Sequence, residues 1–184
     1  YVAADLLSQA EHGIDSQVIL LTTNEQTLNE IIVEINTQLE VLPRKELAAK
    51  ALENSRGIVL NSIEECVAFS NIYAPEHLIF ACETAENYIS KISNAGSVFL
   101  GNYSCESAGD YASGTNHTLP TNGYAKNYSG VSLDSFIKKL TFQKLSAEGI
   151  QNIGPAIELM AEAEELFAHK NAVTLRLQDL SSKA

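Results

Sequence analysis

A carboxylate and an imidazole stand side by side in this sequence. Glu76 and His77 follow Pro75 and come directly before the apolar run at residues 78–81, which predicts a strand. The proline restricts the backbone of the residue before it, so the chain enters that strand in a defined way. Such a pair at a strand end suits general acid and base catalysis near neutral pH. The alternative is a surface turn with a histidine at the edge of the core.

Gln9 and His12 are a second candidate pair. They are three residues apart on a helix predicted near residues 2–12, so their side chains share one face. That face could offer two ligands to one metal ion, although glutamine is an unusual ligand for zinc. The alternative is an exposed polar pair of no special function.

A segment rich in glycine and tyrosine holds further candidates. Residues 101–130 contain five of the ten glycines and four of the seven tyrosines, which favours an ordered functional loop over a flexible linker. Asp110 and His117 within it are candidate metal or substrate ligands, or else residues that cap the turns of the loop. Ser107 lacks the G-x-S-x-G context of a nucleophilic serine, which disfavours a serine hydrolase.

Glu164 and His169 lie near the end of a helix predicted over residues 154–168. They are five residues apart, so an ideal helix would not direct both side chains at one target. Either the helix ends between them or they have different roles. The alternative for His169 is a favourable interaction with the helix dipole.

The elements that must position these residues alternate in type. Short apolar runs predict strands at residues 18–21, 58–60, 78–81 and 97–100. Between them, helices are predicted over about 24–42, 43–54, 62–72 and 84–92, with capping boxes at Thr23–Gln26 and Ser62–Glu65 and a stop at Gly57. This order predicts an α/β fold with right-handed crossovers and a mostly parallel sheet. No G-x-G-x-x-G fingerprint follows any of these strands.

The C-terminal part has a different pattern. Helices are predicted near 132–140, 145–151, 154–168 and 171–180, with a hint of extended chain at 141–143. The segment 132–184 is too small to form a hydrophobic core of its own. We therefore predict two parts: residues 1–131, with the glycine- and tyrosine-rich loop, and residues 132–184, a helical arm that packs on something else. A helical cap on the same subunit is the alternative.

Composition excludes several classes of function. The chain has 184 residues, with 12 Lys and Arg against 23 Asp and Glu, a net charge of −11 that argues against nucleic-acid binding. No apolar run is long enough to span a membrane. Three widely spaced cysteines without a C-x-x-C motif favour a reducing, cytoplasmic location. The chain lacks an initiator methionine and a visible targeting signal, so we expect it to be part of a longer one.

Taken together, the candidate motifs strongly resemble the histidinol dehydrogenase family. They occur in the order and spacing of that family, and the resemblance covers essentially the whole chain. The segment 107–117 is close to diagnostic, and the helical tail is less so. The matching segments are residues 8–12 (SQAEH), 73–78 (YAPEHL), 95–101 (AGSVFLG), 107–117 (SAGDYASGTNH) and 168–169 (AH).

The resemblance implies an activity and a partial structure. Family enzymes oxidise L-histidinol to L-histidine through L-histidinal in two NAD-dependent steps, the last of histidine biosynthesis, as homodimers with one zinc per site. The match is to the C-terminal portion only. The resemblance therefore implies an incomplete Rossmann-like α/β domain that has no dehydrogenase activity alone, with the NAD-binding residues expected in the absent N-terminal half.

The resemblance also assigns roles to residues. Glu76 and His77 match the acid–base pair. The implied zinc ligands are Gln9, His12, Asp110 and His169, which would also contact the substrate together with His77, His117 and Glu164. His169 and Glu164 are expected to come from the partner subunit. The competing hypotheses are a non-catalytic zinc- or imidazole-binding dimerisation module and, much weaker, a hydrolase built on Glu76, His77 and Asp110.

Overall fold

The computed structural model describes residues 1–182. It has the α/β order predicted from the sequence, with short 3-10 helices at Ala85–Lys91, Tyr124–Lys126 and Leu133–Phe136. In chain order the main elements are α1 (Val2–Ala10), β1 (Ile19–Thr22), α2 (Glu25–Val41), α3 (Lys45–Glu53), β2 (Arg56–Val59), α4 (Ile63–Tyr73), β3 (His77–Phe80), β4 (Ser97–Leu100), α5 (Glu106–Tyr111), α6 (Ala147–Ala163) and α7 (Phe167–Ser182).

The chain divides into two compact units. The first runs from Tyr1 to Ile137 and the second starts at Lys138. The boundary predicted from the sequence lies after residue 131, a few residues earlier. That the second unit is an arm stays a prediction.

Three helices form the main hydrophobic core of the first unit. The α1, α2 and α3 helices pack against one another. Their contact is built from the cluster Leu7, Ala10, Leu39, Ala48 and Ala51, of which the three alanines are 0% exposed. Small side chains at these positions let the helix backbones approach closely.

The N-terminus of α2 differs from the sequence prediction. Asn24, not Thr23, caps the helix, and its side chain accepts a hydrogen bond of 3.0 Å from the backbone N–H of Thr27. The predicted capping box at Thr23 and Gln26 is therefore wrong. Asparagine is among the strongest N-cap residues, and it lies one position nearer the helix.

Two parallel strand pairs complete the α/β part. β1 pairs with β2, with Ile19 opposite Arg56, and β3 pairs with β4, with His77 opposite Ser97. The predicted parallel arrangement is confirmed, but within residues 1–182 the strands form two separate two-stranded sheets.

Gly57 lies inside β2 and does not end a helix as predicted, since α3 has already ended at Glu53. A Cβ atom at Gly57 would lie 2.5 Å from Leu28 Cδ1 on α2. The glycine therefore permits a close approach between helix and strand.

The α4 helix begins where the sequence predicts. The Ser62 hydroxyl accepts a 3.2 Å hydrogen bond from the backbone N–H of Glu65. In a full capping box the Glu65 carboxylate would accept a hydrogen bond from the backbone N–H of Ser62. Here it accepts instead from the backbone N–H of Asn61, one residue earlier, at 2.9 Å. Both interactions satisfy groups at the helix N-terminus.

The loop predicted at residues 101–130 contains a helix that the sequence analysis did not predict. The α5 helix starts at Glu106, and Asp110 lies on it. Its glycine content explains the omission, because glycine lowers helix propensity. Gly109 is nevertheless needed within α5, since a Cβ there would lie 2.5 Å from Phe99 Cε1 on β4.

The second unit is a pair of helices, α6 and α7, that pack on each other. The helices predicted over 145–151 and 154–168 are one helix, α6, which ends at Ala163 and contains Pro155. A Cβ atom at Gly154 would lie 2.9 Å from Leu177 Cδ1 on α7, so the glycine serves helix packing.

The predicted helix over 132–140 is only the 3-10 turn at Leu133–Phe136, and the predicted extended segment at 141–143 forms no strand. Large apolar side chains are exposed along this stretch, including Leu133, Phe136 and Phe142, the last 92% exposed. Of the helices within residues 1–182, none has the length and apolar character needed to cross a membrane.

Candidate active site

A tight backbone junction places Glu76 and His77. The chain leaves α4 through Ala74, which is 1% exposed and left-handed at φ 56°, and whose N–H donates to Ser70 O at 2.7 Å. A left-handed alanine carries a local conformational cost, which the buried surroundings offset. The turn directs Pro75 and the Glu76–His77 pair toward β4.

The start of β4 holds this junction from the other side. Gly96 N donates to Pro75 O and Ser97 N donates to Glu76 O, each at 2.9 Å. A Cβ atom at Gly96 would lie only 2.5 Å from Glu76 O. The backbone at residue 96 can therefore approach the backbone of Glu76 this closely only because residue 96 is a glycine.

The His77 imidazole lies between two carboxylates of α5. Its side chain is 10% exposed, its Nδ1 is 3.6 Å from Glu106 Oε1, and its Nε2 is 3.9 Å from Asp110 Oδ1. The ring also packs on Phe99 of β4 at a centroid distance of 6.0 Å. Glu106 and Asp110 are four residues apart, so one face of α5 presents both carboxylates to the ring.

Burial sets the protonation of the Glu76–His77 pair. Desolvation lowers the pKa of His77; the Asp110 charge opposes this, and the His12 and His117 charges add to it. Desolvation raises the pKa of Glu76, the Asp110 charge adds to this, and the same two histidines oppose it. A neutral imidazole near pH 7 can act as a base. These mutual effects place His12, His117 and Asp110 within electrostatic range of the pair.

Glu106 is a buried acid that the sequence analysis missed. It is 3% exposed, and burial together with the charges of Asp110, Glu76 and Asp5 raises its pKa from 4.5 to about 7. Its four-residue spacing from Asp110 was the available signal. That signal has meaning only on a helix, and the segment was predicted to be a loop.

Some of the candidate residues have buried polar atoms without hydrogen-bond partners among the described residues. They include Gln9 Oε1, Asp110 Oδ1 and His77 Nε2. Buried acceptors without partners are costly, and a cation or a polar ligand relieves that cost. Each of the two oxygens, Gln9 Oε1 and Asp110 Oδ1, is therefore suited to accept a cation or a polar ligand. Within residues 1–182, however, no group of three or more His, Cys, Asp or Glu side chains is assembled to hold a metal.

The remaining predicted site residues are exposed. His12 lies just after α1, which is shorter than predicted, and its N–H donates to Gln9 O at 3.3 Å. His117 lies in the segment after α5. Glu164 and His169 belong to the second unit, where Glu164 caps the end of α6 and His169 lies in the first turn of α7. The break between α6 and α7 thus separates Glu164, the C-cap of α6, from His169, which agrees with the first of the two options left open above.

Comparisons with known proteins agree on one family. The model of the histidinol dehydrogenase family matches residues 1–177. Histidinol dehydrogenase from Bacteroides thetaiotaomicron is 61% identical over 180 residues, which are 98% of this chain and 42% of that protein. The chloroplastic histidinol dehydrogenase of Arabidopsis thaliana is 56% identical over 184 residues, 100% of this chain and 40% of that protein.

A solved structure shows the same similarity. The crystal structure of histidinol dehydrogenase from Elizabethkingia anophelis superimposes with a TM-score of 0.91 at 73% identity, over 98% of this chain and 42% of that one. The chain thus spans about two fifths of the length of the relatives it matches.

Proposed function

The chain belongs to the histidinol dehydrogenase family, and we propose that it supplies the acid–base pair and the metal ligands of an enzyme that oxidises L-histidinol to L-histidine through L-histidinal. The observation that carries this proposal is the His77 ring, which is only 10% exposed and lies between two carboxylates with its Nε2 unpartnered among the described residues. An alcohol oxidation needs a base at the hydroxyl group, and this nitrogen is available for that role.

His77 would act on the substrate hydroxyl. Its lowered pKa keeps the imidazole neutral at pH 7, so Nε2 can take the hydroxyl proton as the adjacent carbon loses a hydride. NAD, when bound, accepts that hydride. The burial of the ring excludes water that would compete for the same nitrogen.

Glu76 would act on water. Oxidation of the aldehyde to the acid requires a water molecule that loses a proton as it adds to the carbonyl carbon. A carboxylate with a raised pKa is a better base than an exposed one, and burial raises the pKa of Glu76. The junction with β4 holds its backbone in place for this step.

Gln9, His12, Asp110 and His169 would hold zinc. Gln9 and Asp110 would contribute their unpartnered buried oxygens, and His12 and His169 would contribute ring nitrogens. Zinc has no redox chemistry of its own and, when bound, would orient the amine and imidazole nitrogens of the substrate. The weak glutamine ligand suits a site in which substrate nitrogens complete the coordination.

The proposal includes a second subunit. Glu164 and His169 lie in the second unit, and we propose that a homodimer brings these residues of one subunit to the site of the other, with Glu164 and His117 contacting substrate. Each unit also has exposed apolar side chains, such as Leu133 in the first and Phe142 in the second, which would be covered in that dimer. We also propose a cytoplasmic location for this enzyme.

The proposed activity requires more than this chain. Because the relatives are more than twice as long, the NAD-binding residues are expected in their N-terminal part. The test compares the chain alone with the complete enzyme, meaning this chain together with the N-terminal part that its relatives carry. We expect NADH formation from L-histidinol only with the complete enzyme. Zinc and imidazole binding without turnover there would favour the dimerisation module instead.

A further inference from the structure

Glu106 has a contact that the proposed function leaves unused. We propose that Glu106 is a positioning residue, which accepts a hydrogen bond from His77 Nδ1–H and thereby leaves Nε2 as the free base. The inference rests on the proposed function for the role of His77, and on the geometry of α5 for the role of Glu106.

The distance and burial of the two groups support this pairing. Glu106 Oε1 lies 3.6 Å from His77 Nδ1, and the two side chains are 4% and 10% exposed. That distance is somewhat longer than a hydrogen bond of about 2.7–3.2 Å. Catalytic hydrogen bonds are often long before substrate binds and shorten in the complex. A carboxyl oxygen can accept the N–H in either protonation state of Glu106.

Asp110 is less suited to orient the ring. It approaches the other ring nitrogen, Nε2, at 3.9 Å, and its Oδ1 is one of the unpartnered oxygens assigned above to the metal. A proton on Nε2 would also abolish the base needed at the substrate hydroxyl. Of the two carboxylates beside His77, only Glu106 can fix the ring and leave Nε2 free. A hydrogen bond at one nitrogen selects the tautomer at the other.

The packing of α5 sets the distance between Glu106 and His77. Gly109 lies so near β4 that a Cβ atom there would be 2.5 Å from Phe99 Cε1 and 2.6 Å from Thr115 Oγ1. Phe99 in turn packs on the His77 ring. The close approach of α5 to β4 therefore brings the Glu106 carboxyl beside the imidazole.

A double-mutant cycle in the complete enzyme tests the inference. Glu106→Leu fills a similar volume but removes the acceptor, and we expect it to lower kcat for L-histidinol about 10- to 100-fold with KM and zinc content little changed. Glu106→Gln retains an acceptor oxygen and should recover most of that loss. In a His77→Gln background, Glu106→Leu should cause no further loss, because its effect acts through His77.

Two results of the cycle would overturn the inference. One is a Glu106→Leu enzyme with kcat within about threefold of the unmodified enzyme. The other is an equally large loss with and without His77, which would indicate a structural role. Glu64→Leu is the matched control, because Glu64 also lies in the first turn of a helix but is exposed and paired with Lys91 at 3.2 Å. It should leave kcat unchanged.

A spectroscopic measurement tests the inference without any variant or turnover. Nitrogen NMR of the complete enzyme labelled at histidine should show His77 with a proton on Nδ1 and none on Nε2. A protonated Nε2 would contradict the inference even if every variant failed to fold. Failure of the proposed function would appear differently, as an unmodified complete enzyme that forms no NADH from L-histidinol.

Discussion

The two units of the chain differ in whether they enclose any of their candidate functional residues. The first unit has exposed candidates in His12 and His117, but it also encloses His77, Glu106 and Asp110, whose side chains are at most 11% exposed. Polar atoms of His77 and Asp110 lack partners within the described residues. In the second unit, Glu164 and His169 lie on exposed helix ends. Burying a polar group costs free energy, so the packing of the fold must compensate for it. An exposed polar group has no such cost in the absence of a partner. The comparison separates the proposed acid–base centre, which the fold of the first unit preorganises, from residues that we propose act only in a dimer.

The largest effect is expected at the buried centre. His77→Gln in the complete enzyme should lower kcat for L-histidinol by about 10²–10⁴-fold, because it removes the base at the hydroxyl group. Zinc content should stay near that of the unmodified enzyme. Steady-state NADH formation and elemental analysis measure the two quantities. Near-normal kcat would mean that another residue takes the proton.

The second unit should respond in a different way. His169→Ala should abolish zinc retention in the complete enzyme without unfolding the first unit, since His169 is exposed and packs into no core there. Elemental analysis after dialysis measures the zinc, and circular dichroism during thermal unfolding measures the fold. If the variant retains as much zinc as the unmodified enzyme, His169 is not a zinc ligand. The proposed zinc ligands would then all lie in the first unit.

Burial of Glu106 should appear as a pH dependence of stability. Its pKa rises from 4.5 to about 7 on folding, so the folded state binds the proton more tightly than the unfolded state. This contribution is fully present below pH 4.5 and is lost as pH rises through 7. Its size is on the order of 3 kcal/mol, at about 1.4 kcal/mol for each pKa unit.

Urea unfolding of the metal-free chain at several pH values, compared with Glu106→Gln, measures this contribution. The variant should lack the part of the decline in unfolding free energy between pH 4.5 and 7 that is due to Glu106. Asp5 and Glu76 also have raised pKa values and His77 a lowered one, so only the difference between the two proteins is informative. If the free energies of unfolding of the two proteins change with pH in parallel, the pKa of Glu106 does not rise on folding.

The smallest effect is expected at the junction between β3 and β4. Gly96→Ala places a Cβ atom against Glu76 O, and we expect a destabilisation of about 1–3 kcal/mol, as for other insertions into close-packed sites. Gly101→Ala is the comparison, because no atom lies within 4 Å of its Cβ position and its cost comes from its positive φ alone. A smaller loss for Gly96→Ala than for Gly101→Ala would show that the junction relaxes easily.

The sequence predicted the elements with a clear period or an unambiguous signal. The four strands, the parallel pairing and the start of α4 at Ser62 follow from apolar runs and capping residues, and the structure has them. Some of the errors lie where glycine serves packing. The prediction treats Gly57 as a helix stop and Gly109 as a loop residue, and each instead lets two elements approach closely. A single sequence does not distinguish these uses, because both require only the absence of a side chain.

The adjacency of Glu76 and His77, the proposed acid–base pair, was determined by the sequence itself, since the two residues follow a proline whatever the rest of the chain does. Local covalent geometry acts over one or two residues and can be read directly. The partners of His77 were decided only by the tertiary structure. Glu106 and Asp110 lie about thirty residues further along the chain, and they reach the ring because α5 packs closely against β4. Burial and the pKa changes that follow from it arise from that packing, which no local pattern specifies.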